Sequence, residues 1–160
     1  MSEDTKDSGF SPHEARALAS VLDEIIPPSG DGRLPGAGEV GLVRYIEQQA
    51  PELRPTILQG LSALDEHARG RGARDFAALT REDKLEALNQ LAAAQPAFLP
   101  GLILQSYVGY YQNDRVLEGI GSAAGPPFPR GNTIEQGDLS LLDPVVQGSK
   151  TYRKFVTLPS

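Results

Sequence analysis

Apolar residues recur at helical spacing through the first two thirds of the chain and then cease to. Leu18, Val21, Leu22, Ile25 and Ile26 fall on one helical face. Ser11, Pro12 and Glu14 open that helix with an N-cap serine, a proline at the first helical position and a capping box. Pro27-Pro28 ends it. A second helix is predicted from Glu39 to Gln49, burying Val40, Val43 and Ile46. A third runs from Leu53 to Arg69 with the stripe Ile57, Leu58, Leu61 and Leu64, and Gly70 and Gly72 stop it. Phe76 and Leu79 read as a short plug of the core. Thr80 caps a fourth helix with Asp83 three residues on, and Leu85, Leu88 and Leu91 form its stripe.

The densest apolar run, Leu102 to Tyr111, lies in a fifth helix predicted from Pro96 to about Gln112. It holds Tyr107, Tyr110 and Tyr111, three of the five tyrosines. This segment reads as the central helix of the bundle. Asn113 caps a short sixth helix through Ile120. From Gly121 onward no helical period remains, although Leu139, Leu141, Leu142, Val145 and Val146 are apolar. The expected fold is therefore all-α. It has a polar, disordered start over 1–9, a bundle of five to six helices over 10–120, and an irregular Pro/Gly-rich arm over 121–160. The arm is expected to lie on the bundle or on a partner.

Composition narrows the functional classes. The net charge is −6, which excludes a general nucleic-acid binder needing a basic face. There is no cysteine, so thiolate metal sites, disulfides and a cysteine nucleophile are excluded. No apolar run approaches the roughly 20 residues that span a bilayer, so no membrane insertion is expected. The first residues carry neither a secretory signal nor a twin arginine. The chain reads as cytoplasmic, or periplasmic if a leader has been removed.

Candidate chemistry is sparse. Gly36-Ala-Gly-Glu-Val-Gly41 has dinucleotide-loop spacing, but a Pro-containing loop stands where a strand is needed, so it reads as a flexible interhelical turn. His13 and His67 are the only histidines, without metal-ligand spacing, and read as surface or cap residues. Asp23-Glu24 and Asp65-Glu66 are adjacent on helices and diverge by about 100°, so they read as solvated faces. No catalytic, cofactor-binding or metal-binding residue is assigned. Two features suit a protein partner: the aromatic cluster Tyr107, Tyr110 and Tyr111, and the rigid strap Pro126, Pro127, Phe128 and Pro129. The strap could serve an adaptor, and a stand-alone small-ligand binder or small enzyme is the other alternative.

Several segments taken in order resemble one family. They are Leu18 with Leu22-Asp-Glu-Ile-Ile-Pro-Pro28, the Gly36-Ala-Gly38 turn and Phe76-Ala-Ala-Leu-Thr80. Tyr107-Val-Gly-Tyr-Tyr111 and Gly125-Pro-Pro-Phe-Pro129 complete the set. The chain is similar over residues 10–155 to the gluconate 2-dehydrogenase subunit 3 family, small subunits of membrane-type gluconate 2-dehydrogenases. The resemblance implies a non-catalytic helical subunit paired with a large flavoprotein of the glucose–methanol–choline type. That large subunit would hold FAD and oxidise a sugar, sugar acid or polyol. In some complexes a haem c subunit passes electrons onward. Many relatives carry a twin-arginine signal; its absence here keeps the cytoplasmic expectation. By itself the chain should be colourless, metal-free and unable to bind NAD or FAD. A micromolar dissociation constant for either nucleotide by calorimetry would contradict this.

Overall fold

The computed structural model describes residues 9–122 and Ser140. Residues 1–8 of the polar start lie outside the described residues. So do the remainder of 123–160 and with it Pro126, Pro127, Phe128 and Pro129. The fold is all-α, as the hydrophobic pattern predicts. Six α-helices occupy the described residues: α1 Pro12–Ile25, α2 Leu42–Gln49, α3 Arg54–Gly70, α4 Arg81–Ala94, α5 Phe98–Tyr110 and α6 Asp114–Gly119. Short 3₁₀ turns at Ala37–Glu39, Pro51–Leu53 and Phe76–Ala78 join them.

The helix starts form where capping chemistry permits. Ser11 Oγ accepts the Glu14 amide while Glu14 Oε2 accepts the Ser11 amide at 2.7 Å, a closed capping box. Thr80 accepts the Asp83 amide at 3.2 Å, and Asn113 accepts the Arg115 amide at 3.1 Å. Helix α2 departs from expectation. It begins at Leu42, because Gly41 takes φ 75° and breaks the helical path from Glu39. Leu42 and Ile46 are its buried residues, with Val40 and Val43 partly buried.

Helices α1 and α5 each pack against the other four of α1–α5, and α1 also meets the 3₁₀ turns at Ala37–Glu39 and Phe76–Ala78. Leu18, Val21 and Leu22 of α1 are fully buried. Helix α5 buries Phe98, Leu102, Ser106, Gly109 and Tyr110 along one side. Leu99 is partly buried against the core, while Ile103, Leu104, Tyr107 and Val108 face out. A helix that is apolar all round can be covered on one side only when it packs at the margin of a bundle. Phe76 fills the core fully buried, and Leu79 is buried beside it. Leu85, expected in the α4 stripe, is instead exposed while Ala87, Leu88 and Leu91 are buried. A strict three-residue repeat slips about 60° per step around a helix, which carries Leu85 off the stripe.

Polar groups close the seams between elements. Asp65 is buried rather than solvated: Oδ1 accepts the Phe76 amide at 2.9 Å and Oδ2 accepts His13 Nε2 at 2.5 Å. His13 thus ties the first turn of α1 to α3. Asp75, also buried, caps the Ala78 amide and pairs with Arg16 and Arg74. Burial raises its carboxyl, but the Arg74 hydrogen bond, the Arg16 charge and the Ala78 amide together hold it below its ordinary value.

The Gly36–Gly38 part of the interhelical turn is packed against α1. Asp23 Oδ1 accepts the Gly38 amide at 2.8 Å, and the Ala37 amide donates to Ile26 at 2.9 Å. Burial raises the Asp23 carboxyl, partly offset by the Gly38 amide. A Cβ at Gly38 would lie 2.5 Å from the Ala19 carbonyl oxygen and 2.7 Å from Asp23 Oδ2. The second glycine therefore permits backbone-to-backbone approach onto α1, the same physical need a phosphate-binding glycine serves but met by protein. Gly38→Ala is expected to destabilise the fold by about 2–3 kcal/mol through overpacking, measured by urea unfolding.

Candidate partner-docking surface

The candidate site grows from the α5 sequence. Apolar residues occupy both sides of this helix, and the packing side is chosen by two contacts. Gly109 sits directly against α2: a Cβ there would lie 2.5 Å from Leu42 Cδ2 and 2.7 Å from Tyr45 Cδ1. The absence of a side chain at Gly109 lets the two helices touch. Next to it, Tyr110 is 2% exposed and donates its hydroxyl to the Pro35 carbonyl at 2.7 Å. The hydroxyl of a buried tyrosine needs such a partner, and the 29–35 loop supplies it. Asn113 Nδ2 donates to the Val40 carbonyl at 3.3 Å and fastens the end of α5 to the same region.

With that side inward, the opposite side is left uncovered. Ile103, Leu104, Tyr107, Val108 and Tyr111 are exposed, Leu104 at 61%. Positions 103, 107 and 111 step by four residues, as do 104 and 108, so they form one stripe along the helix. The rings of Tyr107 and Tyr111 stack, with centroids 6.3 Å apart and an 18° interplanar angle. Tyr111 also meets Tyr110 edge-on at 5.3 Å. The stacked pair is thus braced from beneath by a core residue.

The expected aromatic cluster is therefore divided. Tyr107 and Tyr111 lie on the exposed stripe. Tyr110 does not, because its ring fills the core and its hydroxyl is engaged, so it positions the stripe rather than belonging to it. Ile103, Leu104 and Val108 complete the exposed stripe and were not singled out in the sequence. Their signal was present in the sequence as a second apolar stripe on a helix that needs only one. The strap residues Pro126 to Pro129 lie outside the described residues.

The other features tested offer less. Asp23 and Asp65 hold backbone amides, and Glu24 Oε2 lies 3.4 Å from Arg81 Nε. A cleft beside α6 is lined by Arg33 and Arg115, but Arg33 Nη2 donates to the Gly119 carbonyl and Arg115 faces Glu39. Among the described residues no three His, Asp or Glu side chains group as metal ligands, and no helix is long and apolar enough to cross a membrane.

Fold and surface together define an all-α domain whose most distinctive exposed feature is an aromatic–aliphatic stripe suited to protein contact. The family model described as Gluconate 2-dehydrogenase subunit 3 matches residues 12–125. The chain belongs to that family, whose name marks it as one component of a dehydrogenase complex. Searches of the curated proteins and of the solved structures found no match.

Burial, with a smaller contribution from Tyr111, raises the Tyr110 hydroxyl above its ordinary value of 10.0. The folded state then holds this proton more tightly than the unfolded chain. The associated stability is fully present below pH 10 and is lost as pH rises through the folded value. Tyr110→Phe should cost about 1–2 kcal/mol at neutral pH and flatten the loss of stability at alkaline pH. Tyr107→Ala should change stability by no more than about 0.5 kcal/mol. Urea unfolding across neutral and alkaline pH compares the three chains.

Proposed function

We propose that this chain is the small, non-catalytic subunit of a flavin-dependent dehydrogenase, which binds the large subunit and stabilises or matures it. The large subunit is of the glucose–methanol–choline type, holds the FAD and oxidises a sugar, sugar acid or polyol. No cofactor is assigned to the small chain. In some assemblies a haem c subunit completes the electron path. The observation that carries this reading is the exposed stripe of Ile103, Leu104, Tyr107, Val108 and Tyr111 in a chain of this family.

The physical work of such a subunit is to cover apolar surface on its partner and to hold it in one conformation. A partner that binds only the folded large subunit raises the stability of that fold by mass action. Aromatic anchors at the centre of an interface supply most of the binding free energy. Tyr107 and Tyr111 suit that role, because their stacking on each other restricts their rotamers before contact and lowers the entropy lost on binding.

Co-expression with the large subunit, followed by size exclusion monitored at flavin absorbance, tests the reading. The two chains are expected to elute together as a yellow complex. Tyr107→Ala should weaken that complex by about 2 kcal/mol without loss of helicity. Separate elution at micromolar concentration, with full dehydrogenase activity in the large chain alone, removes the accessory-subunit reading and favours a small-ligand binder.

A further inference from the structure

The charged residues are distributed unevenly. Residues 1–86 contain 16 acidic and 10 basic side chains, residues 114–160 contain five of each, and residues 87–113 contain none. The whole net charge of −6 therefore resides in the first 86 positions. The uncharged run covers the second half of α4, the turn after it and all of α5. What it exposes is amides, alanines, prolines and the α5 stripe. In a chain with 22% charged residues, this stretch has been kept free of charge on its solvent side as well as in its core.

We infer that the partner surface meeting α5 is itself uncharged and apolar, a helix or strand face of the large subunit, and that burial of apolar area rather than charge pairing holds the complex. This rests on the accessory-subunit reading. A charged group of the partner pressed against residues 98–111 would lose its water and find no counter-ion. The centres of protein interfaces are depleted in charge and enriched in aromatics, which matches the composition of the stripe.

Other occupants fit less well. Interfacial membrane helices flank their apolar face with lysine and arginine, and this run has neither. A second copy docked stripe to stripe would bring five residues a side, against roughly 20–30 in a stable interface. A larger partner can reach beyond the stripe.

The test pairs the full chain with its large flavoprotein subunit and measures the dissociation constant at about 0.05 M and about 1 M NaCl, a range over which charge pairing is screened. Leu104→Glu and Leu104→Lys are measured beside the wild type, with Tyr111→Glu and Tyr111→Lys as a second pair should either Leu104 variant lose helicity. The wild-type constant is expected to change by less than about threefold with salt, since an uncharged interface has little to screen. Both signs of charge should weaken the complex alike, by about tenfold or more, because either is desolvated without a counter-ion. A complex that dissociates in high salt overturns the inference but leaves the accessory role standing. So does a pair of variants in which one sign weakens binding and the other preserves it. Absence of a complex at both salt concentrations overturns both. Sedimentation of the wild-type chain with phosphatidylcholine vesicles, lost in both Leu104 variants, overturns the inference in favour of a lipid surface.

Discussion

The hydrogen bond from Tyr110 to the Pro35 carbonyl, made inside the core beside the bare backbone of Gly109, decides which side of α5 faces water. Helix α5 carries apolar groups on every side, so hydrophobic burial alone would be nearly indifferent to its rotation. Two steric and polar constraints remove that indifference. Gly109 is the residue that can lie against Leu42 and Tyr45 without a clash. Tyr110 can be buried because an acceptor waits for its hydroxyl. Rotating the helix by half a turn would place Tyr107 and Ile103 inward and would strand a tyrosine hydroxyl without that carbonyl. The exposed stripe is the complement of this choice.

The acceptor depends in turn on the loop between α1 and α2. Asp23 holds the Gly38 amide, Ile26 accepts the Ala37 amide, and Ser29 ties Leu34 into a closed loop that presents Pro35 inward. A glycine pattern with the spacing of a nucleotide loop serves here to bring a turn against a helix. Positioning therefore passes from the buried α1, through its C-terminal turn, to the orientation of a helix at the margin.

Much of this was legible in the amino-acid order because it depends on local chemistry. The caps at Ser11, Thr80 and Asn113, the stripe of α1 and, Leu58 aside, the stripe of α3 are set within one or two turns of helix, where sequence and structure correspond directly. The Phe76 plug followed from a lone aromatic between two helices. The centre of the bundle was only partly legible. Density of apolar residues singled out α5, which does meet α1 to α4, but α1 meets as many helices and two 3₁₀ turns besides, a property of neighbours far away in sequence. Asp65 and Asp23 were also opaque. Acids on a helix read as solvated until the distant amides of Phe76 and Gly38 are seen bonded to them. Half of the candidate site was visible as the tyrosine cluster. The division of that cluster was not, because Tyr107 and Tyr110 differ by the fold's choice of face and not by residue type.

Side-chain footprinting with hydroxyl radicals, on the free chain and on the proposed complex with a large flavoprotein subunit, tests the proposed docking face most directly. In the free chain Tyr107 and Tyr111 should react readily and Tyr110 hardly at all, in keeping with exposures of 47%, 49% and 2%. In the complex Tyr107, Tyr111 and Leu104 should become protected while Leu85, exposed on α4 before the uncharged run, keeps its reactivity. Undiminished reactivity of Tyr107 and Tyr111 in a complex that has formed would contradict the assignment of this face as the docking surface.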